Sequence, residues 1–229
     1  MGSLLLLTSG ASGCAGNLSV LDPAGPAAHS TAILWWVMLA GAAAIMALVL
    51  ALVALAFAKP GIGRSVDPKR WLVWGGLVFP GVVLSALLVF ALGLGEHLLP
   101  HRHPDTYTVE AVPVQWAWTF RYPGGAETMN ILHLPAGRPI DVRVVGTDVI
   151  HSFWVPRLGG KVDAIPGHVN TLRLQADRPG SYGGVCSEFC GIGHSNMGFT
   201  VLAHMPAEFD AALDAATAAN ETPASDGAR

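Results

Sequence analysis

The sequence predicts a membrane-anchored all-β protein, in which an N-terminal hairpin of two transmembrane helices is followed by a single β-sandwich or barrel. Three observations carry that prediction. Of the 229 residues, 52% are hydrophobic and only 13% are charged, where roughly a quarter is usual for a soluble domain. Two long charge-free stretches near the start flank a short basic segment. From Asp105 onward the chain changes to short runs rich in β-branched and aromatic residues, punctuated by Gly and Pro. At ~100–200 residues per domain, the length leaves room for one compact domain beside the helices and excludes a large multidomain enzyme. A formal net charge of −3 supplies none of the clustered Lys and Arg that phosphate binding needs, so no nucleic-acid partner is expected.

Residues 1–30 read as a signal-like segment and an exported N-terminus. The stretch LLLLTSGASGC ends in Cys14 like a lipoprotein cleavage site, which makes Cys14 a lipidation candidate. No basic residue precedes it, and Ala11 stands where a lipobox commonly has Leu. Residues 31–95 form the hairpin, with helices over 31–58 and 71–95. Each is uncharged and exceeds the ~20 residues a span requires. Pro80 interrupts the second, as lipid-buried helices tolerate. No Lys or Arg precedes Lys59, while Lys59, Arg64, Lys69 and Arg70 crowd the loop 59–70 against Asp67 alone. That loop is therefore cytoplasmic and both chain ends lie outside. Trp35, Trp36 and Trp71 fit an interfacial belt.

The soluble domain, residues 96–205, is expected to place strands at 106–114, 116–122, 140–146, 151–156, 170–176, 180–186 and 198–204. Turns fall at Pro123-Gly124-Gly125, Pro135-Ala136-Gly137, Pro166-Gly167 and Pro179-Gly180. In the tail, 206–229, a short helix follows Pro206 and ETPASDGAR is expected to be disordered.

The chemistry concentrates in CSEFCGIGHSNM, where Cys186, Cys190, His194 and Met197 fall within twelve residues. Thiolate, imidazole and thioether donors together suit copper or another soft metal. The glycines Gly191, Gly193 and Gly198 oppose a helix here, so a loop between strands lets the donors converge, with His151 supplying a second imidazole from another strand. A mononuclear copper site needs one thiolate; a second at this spacing allows two thiolates to bridge two metals. A backbone carbonyl near Glu188 and Met197 are candidates for weak axial donors. A Cys186–Cys190 disulfide and a structural Cys2His2 zinc site are the alternatives. Seven further histidines, 29, 97, 101, 103, 133, 168 and 204, lack a soft partner in sequence.

GTDVIHSFWVPRLGGKVDAIPGHVN and GGVCSEFCGIGHSNM resemble the copper-binding signatures of cytochrome c oxidase subunit II, and the likeness extends to the helices, the positive loop and the QWAW segment. The resemblance implies a greek-key cupredoxin domain on the periplasmic face of a bacterial cell membrane. It implies a binuclear copper centre (CuA) held by His151, Cys186, Cys190, His194 and Met197 through side chains and by Glu188 through its carbonyl. The Glu188 carboxylate would also reach a Mg2+ or Mn2+ ion shared with subunit I. Trp116 matches the residue that receives electrons from cytochrome c, although Trp116 and Trp118 alternate onto one strand face and both could fill the core. Implied partners are the haem-bearing subunit I, subunit III and cytochrome c.

Some residues depart from the family's pattern. Ala117 stands where an aromatic is usual and Arg121 where an acid is common, and acids and bases in the domain are nearly balanced, so strong steering of a basic donor is not expected. No carboxylate opens the second helix, where Trp71-Leu72-Val73-Trp74 stands, and no Cys-x-x-Cys-His signals a fused haem c. Competing readings are the copper subunit of a denitrification reductase, a quinol oxidase subunit, whose copper ligands are typically lost, and a membrane-tethered copper delivery or storage protein.

Overall fold

A computed structural model describes residues 14–59, 61, 67–96 and 106–221. The signal-like residues ahead of Cys14, most of the basic loop, His97, His101, His103 and the tail from 222 lie outside the described residues. The chain divides into two compact units, residues 33–98 and a second built from 1–32 together with 99–229.

Helix α1 (Pro26–Ala58) begins five residues ahead of the expected position, with Pro26 as its first residue, a place where the missing N–H costs nothing. The second apolar stretch is a succession of α2 (Pro68–Arg70), π-helical turns over Trp71–Val78 and α3 (Phe79–Glu96). The Asp67 carboxylate caps α2 by accepting from the Lys69 N–H at 3.0 Å. The irregularity expected at Pro80 lies on its N-terminal side, where wider turns accommodate a ring that offers no N–H. Both apolar helices are long and apolar enough to cross a membrane.

The β-domain is a sandwich of two five-stranded sheets. β1 (Tyr107–Val114), β2 (Ala117–Arg121), β3 (Glu127–Met129), β5 (Ile140–Val145) and β8 (Val169–Leu174) form the first, in the order β3-β2-β1-β5-β8. The second comprises β4 (Ile131–Pro135), β6 (His151–Trp154), β7 (Val162–Ala164), β9 (Gly180–Cys186) and β10 (Gly198–His204), in the order β4-β10-β9-β6-β7. Strands β1 and β5 pair in parallel, as do β4 and β10; the other pairs are antiparallel. The chain crosses repeatedly between sheets, the greek-key habit the sequence predicts for a cupredoxin. Helix α4 (Phe209–Glu221) follows β10.

All seven expected strands form. The three that the pattern does not reveal are short: β3 and β7 have three residues each, too few to display a period of two. β4 carries His133 and ends on Pro135, which reads as a turn residue, and Asn130 at φ 56° separates it from β3. Alternating burial along β5 and β10 turns Val142, Val144, Phe199 and Val201 inward. The core centres on Trp118, Phe120, Phe153 and Phe199, whose rings meet at centroid separations of 4.9–6.5 Å. Such contacts add ~0.5–1.5 kcal/mol per pair beyond the area buried.

The described residues ahead of α1 pack into this domain. Asn17 Oδ1 accepts from the Gly183 N–H at 2.9 Å. Ala24 donates its N–H to Arg157 O and accepts from the Asp177 N–H. Asp22 and Arg157 form an ion pair at 2.9 Å, and His29 lies 3.1 Å from Asp177. A Cβ on Gly25 would come within 2.2 Å of Gln175 O, so only glycine permits this approach. The strap explains the early start of α1: its first turn buries Ala28 and Ala32.

Candidate metal centre

Two adjacent strands and one loop build the centre. His151 opens β6 and Cys186 closes β9; the strands pair antiparallel with Phe153 opposite Cys186. The loop 187–197 then turns back into β10, held at its base by the Cys186 N–H donating to Met197 O at 2.9 Å. Within it a single 3-10 turn, His194–Asn196, swings the second imidazole toward the thiols.

The six donors expected from sequence come together. Cys186 Sγ and Cys190 Sγ are 3.8 Å apart and both side chains are buried. His151 Nδ1 lies 3.8 Å from Cys186 Sγ, and His194 Nδ1 lies 3.6 Å from Cys190 Sγ. Met197 Sδ is 3.6 Å from Cys190 Sγ, and the Glu188 carbonyl oxygen is 3.3 Å from Cys186 Sγ. Ligand atoms of His151, Cys186 and Cys190 all lie within 4.8 Å of one another. The cysteines are free thiols, and their sulfur separation is far beyond the ~2.05 Å of a disulfide. Two thiols side by side, an imidazole at each end and two weak donors make a soft donor set that suits copper. Burial, reinforced by the Cys186 thiol, pushes the Cys190 thiol up to about 11. It therefore holds its proton at neutral pH until a metal displaces it.

Around the donors the polar contacts are specific. His151 Nε2 donates to Asp148 Oδ1 at 2.9 Å, which leaves the Nδ1 lone pair facing the thiols. Asp148 Oδ2 accepts from the Gln115 N–H at 2.9 Å. Burial pushes the Asp148 carboxyl up, but hydrogen bonds from Gln115, His151 and Val149 outweigh it and hold the group below its ordinary value. The Glu188 carboxylate is exposed and points to Lys161 Nζ at 3.8 Å.

Trp116 and Trp118 part company. Trp118 is fully buried, edge-on to the His151 ring at 6.3 Å, and its indole N–H meets no acceptor among the described residues. Trp116 sits in the turn before β2, 43% exposed, and donates its indole N–H to Cys190 O at 3.3 Å. A Cβ on Gly193 would lie 2.3 Å from the Trp116 ring, so the indole rests directly on the ligand loop. Phe189 and Ile192 stand exposed on the same loop.

Sequence reasoning missed Asp148 and Gln115. An acid three residues ahead of a ligand histidine is a signal for the first; nothing singles out the second. Cys14 is exposed and free. Among the other histidines, His29 meets Asp177, His133 and His204 meet each other, and His168 is exposed.

The family described as cytochrome c oxidase subunit II, periplasmic domain, matches residues 125–204. A cytochrome c oxidase subunit 2 of Alkalihalophilus pseudofirmus is 32% identical over 236 residues, covering 96% of this chain and 69% of the relative. This chain belongs to the cytochrome c oxidase subunit II family. Within the same family, a quinol oxidase subunit 2 of Bacillus cereus is 31% identical over 229 residues, covering 91% of this chain and 75% of the relative. The crystal structure of the periplasmic domain of cytochrome oxidase subunit II of Bradyrhizobium japonicum is 32% identical and matches 52% of this chain and 97% of its own with a TM-score of 0.48. The chain is thus a subunit of a haem-copper oxidase type, with a membrane anchor and a periplasmic domain that carries a His/Cys/Cys cluster.

Proposed function

We propose that this chain is the electron-accepting subunit of a respiratory cytochrome c oxidase. It takes electrons from cytochrome c on the outer membrane face and hands them to haem in subunit I, where O2 is reduced to water with proton translocation. Subunits I and III are its partners in the membrane. A binuclear copper centre, when bound, supplies a one-electron carrier whose spin is shared between two metals, so little geometry changes on transfer. His151, Cys186, Cys190, His194 and Met197 would hold it through their side chains and Glu188 through its carbonyl oxygen. The Glu188 carboxylate is exposed and, on exchanging its ion pair with Lys161, would reach a Mg2+ or Mn2+ ion at a subunit boundary. Trp116 offers the exposed aromatic surface and reaches a ligand residue through one hydrogen bond.

The observation that carries this reading is the pair of adjacent buried thiols with an imidazole at each end. A quinol oxidase subunit has no need of these donors, and a copper carrier has no need of a second thiolate or of Trp116. Oxygen reduction is a reaction of the assembled complex, in which this chain supplies the electrons. The test is to load the full chain in detergent with Cu(II) and measure copper per chain together with the electron paramagnetic resonance spectrum. Two coppers and hyperfine structure from one electron shared by two nuclei support the reading. One copper with an ordinary mononuclear spectrum would replace it with metal delivery.

A further inference from the structure

Gln115 is an exposed residue, yet both its polar ends are committed. Its side-chain amide donates to the Cys190 carbonyl at 2.7 Å, and its backbone N–H donates to Asp148 Oδ2 at 2.9 Å. The other oxygen of Asp148 accepts from His151 Nε2 at 2.9 Å. One residue thereby closes a chain of hydrogen bonds from an imidazole donor to a thiol donor, across three segments that are distant in sequence. Holding an exposed glutamine in one rotamer costs conformational entropy, which these contacts offset. The adjacent Trp116 ring lies on Gly193 and shares the same carbonyl.

We infer that the 115–116 turn is a clamp, with Gln115 and Asp148 as positioning residues that hold the thiol and imidazole donors in fixed relation beneath Trp116. Neither residue ligates the centre. The clamp restrains Cys190 before metal arrives and limits ligand movement during electron acceptance, and this second role rests on the function proposed above. In Gln115→Leu the carbonyl of Cys190 loses its shorter donor, while in Asp148→Asn the carboxamide can serve His151 or Gln115 well, but not both through charge-assisted bonds.

Two measurements test it. In the copper-free full chain in detergent, alkylation of Cys190, located by mass spectrometry, should quicken about five- to tenfold in Gln115→Leu, the loss expected for one hydrogen bond of ~1 kcal/mol or somewhat more. In the assembled, copper-loaded oxidase, the same variant should slow electron acceptance severalfold while KM for reduced cytochrome c stays within about twofold. Asp148→Asn should shift both readouts in the same direction. Unchanged alkylation in both variants overturns the clamp, and so does a raised KM at constant rate, which would make Gln115 a donor contact. If the wild-type chain binds no pair of coppers, the proposed function fails while the alkylation result still decides the clamp.

Discussion

The second sheet and its 187–197 loop carry two pairs of histidines, and they have opposite fates. His151, on β6, and His194, just ahead of β10, each present Nδ1 to a cysteine sulfur. His133, on β4, and His204, at the far end of β10, face each other, with Nδ1 and Nε2 2.9 Å apart and rings 5° from parallel. In the first pair a carboxylate takes the outward N–H of His151 and frees the inward lone pair. In the second, the lone pair of one ring is consumed by the N–H of the other. Imidazole count does not make a metal centre; the sulfur beside each ring and the acceptor behind it do.

Removing a sulfur from the first pair should have the largest effect. Cys190→Ser is expected to abolish the shared-spin spectrum and electron acceptance, read by electron paramagnetic resonance and copper content. Next in size is detachment of the strap: Gly25→Ala forces a Cβ against backbone at 2.2 Å. Overpacking of this kind costs about 1–3 kcal/mol, measured as a lower unfolding midpoint with the metal donors intact. Smaller still is Met197→Leu, a volume-conserving change at a fully buried site that should cost under about 1.5 kcal/mol. It should keep two coppers while shifting their potential and slowing transfer.

At neutral pH the smallest expected effect belongs to the second pair, which acts only as pH falls. Burial first, and then His204, push His133 down to about 4, and burial lowers His204 as well despite the opposing charge of Glu208. Both rings are neutral in the fold, whereas a histidine in the unfolded chain titrates near about 6.5. The unfolded state therefore binds more protons between these values, so stability is full above about 6.5 and is lost as pH falls toward 4. Thermal unfolding of the copper-free chain should show that slope, and His133→Asn should flatten it.

The sequence made the apolar helices and the donor set legible for different reasons. The helices announce themselves because lipid forbids charge over twenty or more residues, and the soft donors because Cys, His and Met rarely cluster. Long strands such as β5 and β10 show their period. The short strands β3 and β7 do not, and β4 hides behind a histidine and a terminal proline. Asp148 and Gln115 were harder to find because their roles depend on three loops meeting in space, and only Asp148 leaves a local trace. The burial of Trp118 and exposure of Trp116 contradict the alternation expected on one strand, because β2 starts at Ala117 and leaves Trp116 in the turn.

The strap also sets an order of assembly. Its residues precede most of α1 in the chain, yet the groups that receive it, Arg157, Asp177 and Gly183, are made after both apolar helices and most of the β-domain. Asn17 waits for a partner 166 positions later in the chain. The contact that completes the domain is therefore among its least local, and a soluble fragment that starts after the second helix would be made without it. In such a fragment the Gly183 N–H on β9 and the 156–159 turn would face water where the longer chain covers them with residues 17–25.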